Sequence, residues 1–306
     1  MRSEICSQLV ALARKEKFFF LTGDLGFMAL EPLREALGEW FVNAGLAEQN
    51  MVAVAAGLVR AGCQAWVYSI APFCYARPFE QVRNDICLNN LPVKLVGNGG
   101  GYAYGAMGAT HHAIEDYGVL LGLQSMRVFV PAFRADIAPV VGRMVATPFP
   151  SYLRLGRCEL PDGHELPAYS AWRKLQAGAG SLIVAMGPLV GGLLAATCEL
   201  PFESRPEIWV VSEMPFEFEN IPREFRERLS RSALLCIVEE HVAQGGFGQN
   251  LVWTMCKEGV RVPRLVHAHA RGYVSGAYGS QGFHRTECGL TPAGILAAMG
   301  SAPEAE

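Results

Sequence analysis

Phe41-Val42-Asn43-Ala44-Gly45-Leu46-Ala47-Glu48-Gln49-Asn50-Met51 carries one acidic side chain into an apolar helix of small residues. From Ala47 to Arg60 the apolar residues Met51, Val52, Ala55, Ala56 and Val59 recur at helical spacing, which predicts a largely buried helix. A carboxyl carried into such a place is costly unless it is protonated or paired, because burial disfavours its charged form. Two readings of Glu48 stand at this point. It is a helix-start acid bonding backbone amides in the field of the macrodipole, or a buried carboxyl kept for its chemistry.

Outward from this helix, short β-type runs alternate with helical stretches. Phe18-Phe19-Phe20-Leu21-Thr22, ended by Gly23-Asp24, reads as a strand and loop. Ala65 to Tyr68 is a second strand, Pro78 to Asn89 a helix, and Val93 to Val96 a third strand. A glycine-dense loop, Gly97 to Gly108, precedes a further helix and the strands Arg127 to Val130 and Tyr152 to Leu155. Such alternation predicts a parallel sheet with helices on both faces. Residues 161–176 lose this periodicity and read as a linker. A second alternating set follows, with strands at Ser181 to Met186, Ile208 to Val211, Ala233 to Val238 and Arg264 to His267. The fold class is therefore α/β, with two doubly wound domains over residues 1–160 and 177–306. The polar tail Ser301 to Glu306 is expected to fray.

A chain of 306 residues is long enough for two cores. A net charge of −3 and 51% apolar residues give no reason to expect nucleic acid or an anionic membrane as partner. No apolar run approaches the roughly 20 residues of a membrane helix, and no signal peptide precedes Arg14-Lys15-Glu16-Lys17, so a cytoplasmic protein is expected. The nine cysteines show no Cys-x-x-Cys pair and read as reduced core residues.

Gly45-Leu46-Ala47-Glu48-Gln49-Asn50-Met51, followed by Ala55-Ala56-Gly57-Leu58, closely resembles the pyrimidine-binding domain of transketolases and deoxyxylulose-phosphate synthases. Gln81-Val82-Arg83-Asn84-Asp85, Gly108-Ala109-Thr110-His111-His112 and Tyr152-Leu153-Arg154-Leu155-Gly156-Arg157 resemble later segments of the same domain. Val238-Glu239-Glu240-His241 with Gly245-Gly246-Phe247-Gly248 is similar to the transketolase C-terminal domain. The resemblance implies thiamine diphosphate as cofactor. Its glutamate, matched here by Glu48, hydrogen-bonds the aminopyrimidine ring nitrogen and favours the imino tautomer that deprotonates the thiazolium carbon. The cofactor performs the carbon–carbon chemistry while protein groups orient it.

The same resemblance implies further site residues. Phe73 and Tyr75 match aromatics around the aminopyrimidine, where a flat ring stacks; both also suit an ordinary core. His111 matches a histidine that contacts the donor's hydroxyl, a role suited to a side chain that titrates near neutral pH. His112, standing where the family has Gln, and Arg157 are candidates for substrate binding, as is Arg154, through bidentate contact with an anionic group. Each of the two arginines reads equally as an interface or strand-edge charge. Gly97-Asn98-Gly99-Gly100-Gly101 matches neither a P-loop nor a dinucleotide fingerprint and reads as a close-approach loop. Gly245 to Gly248 reads as a turn starting a helix.

The family's Gly-Asp-Gly and downstream Asn, which hold Mg²⁺ and the diphosphate, have no counterpart here; Gly23-Asp24-Leu25-Gly26 is not that motif. The resemblance therefore implies a two-chain enzyme. A separate diphosphate-binding subunit supplies the magnesium ligands, in an α₂β₂ assembly, and this chain works only with it. The expected activity is transfer of a two-carbon ketol or acyl unit to an aldehyde. Met28, Gly99 and Ala106-Met107 replace the family's acceptor-binding Ser, His and Glu-Asp, which implies an acceptor other than an ordinary aldose phosphate. Two alternatives stand: the beta subunit of a 2-oxo acid dehydrogenase, whose loop carries a His-Ser pair, and a non-catalytic assembly subunit.

Overall fold

A computed structural model of the chain describes residues 1–26, 28–158 and 160–300, so the tail expected to fray lies outside the described residues. Six short strands, β1 (Phe19–Thr22), β2 (Phe41–Asn43), β3 (Ala65–Ile70), β4 (Lys94–Asn98), β5 (Arg127–Phe129) and β6 (Ser151–Leu155), are parallel in the order β5-β6-β4-β3-β1-β2. β4 and β6 are buried along nearly their whole length, as central strands of a parallel sheet are once helices cover both faces, and the burial takes in the charged Lys94 and Arg154. The helix Glu48–Arg60 buries Met51, Val52, Ala55 and Ala56 against this sheet, the face its sequence spacing specified.

A second sheet is built from β7 (Trp172–Gln176), β8 (Leu182–Met186), β9 (Glu207–Val211) and, after a short β10 (Glu213–Met214), β11 (Leu234–Glu239) and β12 (Arg264–Ala268). Its order is β12-β11-β8-β9-β7, with β7 antiparallel at the edge. β10 leaves this half and pairs antiparallel with β5, Glu213 opposite Phe129. The two halves are thus stitched by backbone hydrogen bonds. They also share one apolar core, in which Tyr117 and Val128 join Trp172, Trp209 and Phe247.

Two expectations need correction. Residues 172–176, read as the end of the linker, form β7. Charges at Arg173 and Lys174 disguise the strand, and Arg173 is buried because Asp136 pairs with it. The helix expected over Pro78 to Asn89 is a turn, Phe79–Gln81, continued by a π-helical stretch, Val82–Cys87. A further short helix, Ala71–Tyr75, directly follows β3.

Candidate active site

In parallel sheets ligands gather beyond the carboxyl ends of the strands. The strand register levels those ends here: Thr22 lies opposite Asn43, Ile70 opposite Asn98, and Asn98 opposite Leu155. Glu48 follows β2, Phe73 and Arg77 follow β3, Tyr104 and His111 follow β4, and Arg157 follows β6. One edge of the sheet therefore presents Glu48, Phe73, His111 and Arg157 together.

Glu48 is the first residue of its helix and is 2% exposed. Its loop is tied to the one after β1, since Asn43 donates to Asp24 at 3.1 Å and its side-chain oxygen accepts from the Gly45 amide at 2.9 Å. The Glu48 carboxylate accepts a charge-assisted hydrogen bond of 2.7 Å from Arg77 Nη1. Of the two ways to tolerate a buried carboxyl, pairing is the one adopted. The Arg77 guanidinium lies over the Phe73 ring, 4.2 Å from its centroid. Phe73 in turn meets His111 edge to face, with ring centroids 5.2 Å apart.

His111 sits in a short 3-10 turn, Ala109–His111, and its Nδ1 lies 3.0 Å from Thr110 Oγ1. Tyr104 packs 6.3 Å from the His111 ring, and its hydroxyl accepts from Asn98 at 2.6 Å. Asn98 and Tyr104 also line an adjoining cavity of about 1030 Å³, whose wall includes Arg157, Arg14, Arg2, Met28 and Gly99. Glu48 is not in that wall. The site thus has two compartments: a tight seat between Phe73 and Glu48, and a roomier basic cavity reached past Tyr104.

Other candidates are not brought together. Tyr75 is 5% exposed and packs in the core, where burial pushes its hydroxyl pKa far up. His112 is also buried. It is enclosed by the rings of Tyr102, Tyr273 and His284 and contacts the Gly105 carbonyl through Nε2 at 3.2 Å. That burial lowers its pKa, so the two adjacent histidines divide, His111 toward the site and His112 into the packing. Arg154 is 3% exposed, lies 3.0 Å from Asp116 and donates to the carbonyls of Ala113 and Glu240. It is a structural charge that joins the two halves of the chain.

The glycine run is a close-approach loop. A Cβ at Gly100 would stand 2.2 Å from Arg154, and one at Gly101, where φ is +63°, 2.5 Å from Glu240. The Gly245 to Gly248 turn opens the helix Phe247–Lys257, whose first amides are filled by the Glu239 carboxylate at 2.7 and 2.8 Å.

The seat fits a flat nitrogen heterocycle, for it already takes one planar N–H donor, the Arg77 guanidinium, between an aromatic face and a carboxylate. Sequence reasoning missed Arg77, although its spacing from Phe73 on a helical turn puts the two on one face. It also missed Tyr104, whose place depends on the fold alone.

Residues 10–162 match the family described as transketolase, pyrimidine binding domain. The chain is 32% identical over 272 residues, 85% of both proteins, to a subunit of the apulose-4-phosphate transketolase of Phocaeicola vulgatus. It is 31% identical over 261 residues to the subunit of the same name from Actinobacillus succinogenes, across 83% of this chain and 80% of that one. A solved structure described as a split gene transketolase, inactive beta4 tetramer, superposes with a TM-score of 0.79 at 29% identity, covering 97% of this chain and 95% of the other.

Proposed function

The chain belongs to the transketolase family, and from that premise we propose that it is the cofactor-activating subunit of a two-component, thiamine-diphosphate-dependent transketolase. The observation that carries the reading is the buried Glu48 carboxylate, set beside the Phe73 face at the carboxyl end of the sheet. When bound, thiamine diphosphate supplies the nucleophilic carbon for breaking and making carbon–carbon bonds. Phe73 stacks its aminopyrimidine ring, and Glu48 holds a proton at the ring nitrogen, shielded from water by its burial. His111, next along the row, contacts the substrate hydroxyl and moves a proton there.

Arg157, with Arg14 and Arg2 in the same cavity wall, suits an anionic substrate. The relatives' names, apulose-4-phosphate transketolase, support a sugar phosphate in this role. Met28 is 83% exposed and Gly99 lacks any side chain where both line the cavity, so this wall differs from that of enzymes acting on ordinary aldose phosphates.

Magnesium and the diphosphate belong to the partner chain in this reading. The relatives, named as transketolase subunits, and the split-gene transketolase structure support a partner. So do exposed apolar side chains on the loops bearing the site: Leu46, two residues before Glu48, and Met107, four before His111.

Hydrogen–deuterium exchange at the thiazolium carbon, followed by NMR in the enzyme reconstituted with its diphosphate-binding subunit, tests the reading. Glu48→Gln keeps the volume but cannot carry the proton, so exchange should slow by about 10²–10⁴-fold. Exchange as fast as in the unmodified enzyme would leave Glu48 a structural acid and this chain a non-catalytic subunit.

A further inference from the structure

Arg77 fills the seat that the proposed function assigns to the aminopyrimidine. Its guanidinium is flat and presents N–H donors in its own plane, as a protonated nitrogen heterocycle does. It lies 4.2 Å from the Phe73 centroid and donates to Glu48 Oε2 at 2.7 Å. Those are the two contacts a stacked aminopyrimidine needs. The Phe73 face that the guanidinium covers cannot stack a second flat group at the same time.

The surroundings allow Arg77 to leave. The residue lies just beyond the helix Ala71–Tyr75, in a turn before Pro78, and its side chain is 45% exposed. The guanidinium can therefore swing into water without disturbing the fold. Glu48, at 2% exposure, has no such freedom, and stripping it of a partner would leave a buried charge uncompensated. Its environment calls for a cationic or N–H partner at all times.

We propose that Arg77 is a placeholder. In the chain without cofactor it stacks on Phe73 and pairs with Glu48, holding the carboxylate aimed and the seat dry; the arriving aminopyrimidine displaces it. This inference rests on the thiamine diphosphate reading and deepens it. The seat is then closed by default, and apparent cofactor affinity is reduced by the fraction of molecules in which it is open.

The alternative is that Arg77 stays on Glu48 as a permanent positioning partner, and the two predict opposite signs. Calorimetric titration of thiamine diphosphate with Mg²⁺ into the reconstituted two-chain enzyme is the measurement, comparing Arg77→Met with the unmodified protein. Displacement predicts that the variant binds about tenfold more tightly, because the closed state is lost. Arg77→Lys, which keeps the charge but not the flat fork, should fall between them and provides the test if Arg77→Met does not fold. ¹⁵N NMR of the Arg77 guanidinium gives an independent readout. Its N–H signals should be protected in the cofactor-free chain and lose protection in the loaded enzyme. Unchanged or weaker binding in both variants, or protection that survives loading, overturns the placeholder. If instead Glu48→Gln exchanges the thiazolium proton at the normal rate, the function assignment fails first, whatever Arg77 does.

Discussion

Arg173 and Asp136 meet at 2.7 Å with side chains 2% and 1% exposed, one on the edge strand of the second sheet and the other in the first half of the chain. The same Asp136 oxygen accepts from the amides of Ala132 and Phe133 at 3.0 and 2.9 Å. Removing one partner of such a pair strands a buried charge, so Arg173→Met should destabilise the chain by about 3–5 kcal/mol. Asp136→Asn combined with it should cost less than the sum of the single changes. Urea denaturation of both single variants and the double variant measures the coupling. Additive losses would mean that the pair contributes nothing beyond its two sites.

The two arginines of Arg154-Leu155-Gly156-Arg157 should separate in their effects. Arg157 is exposed at the basic cavity, and Arg157→Ala should raise KM for an anionic substrate about tenfold or more while kcat changes little. Arg154→Met should instead lower the melting temperature, because Asp116 loses its buried counter-charge. Steady-state kinetics beside thermal melts would expose the error if Arg154→Met folds normally and shows the KM effect.

Gly105→Ala tests how the second half of the chain supports the His111 loop. A Cβ there would stand 2.6 Å from backbone atoms of Gly279, Ser280 and Gln281, none of which can rotate away. Overpacking of this kind costs about 1–3 kcal/mol. The expected result is a lower melting temperature and reduced turnover, because the loop must shift with His111 on it. Unaltered stability and activity would show that the segments separate freely.

Lys94 gives a pH dependence. It is 2% exposed, donates to the carbonyl of Thr147 at 2.6 Å, and burial lowers its pKa from 10.5 to about 8. Below pH 8 the lysine is charged in both states, and the folded protein bears the full desolvation penalty. Between pH 8 and 10.5 the unfolded chain binds more protons, so stability from this group rises with pH, by at most about 1.4 kcal/mol per unit. Lys94→Met should lack that rise. Denaturation series at about pH 7.5, 9 and 10 on both proteins check it, and parallel curves would refute it.

Glu48, Met51, Val52, Ala55 and Ala56 show how far a linear reading reaches. Helical spacing depends only on local geometry, so it specified the buried face and the entry of a carboxyl into it. Strand–helix alternation likewise specified parallel sheets, and with them the carboxyl edge where Phe73, His111 and Arg157 stand. The partners of these residues are another matter. Arg77 reaches Glu48 from 29 positions away, and Asp116 claims Arg154 across two strands' worth of chain. Tyr273 and His284, from the second half, take His112 out of the site that its neighbour His111 faces. Adjacent residues of one type were divided between the candidate site and the packing by segments far along the chain. Pairing and burial are set by what the fold brings alongside a side chain, and no local pattern encodes that.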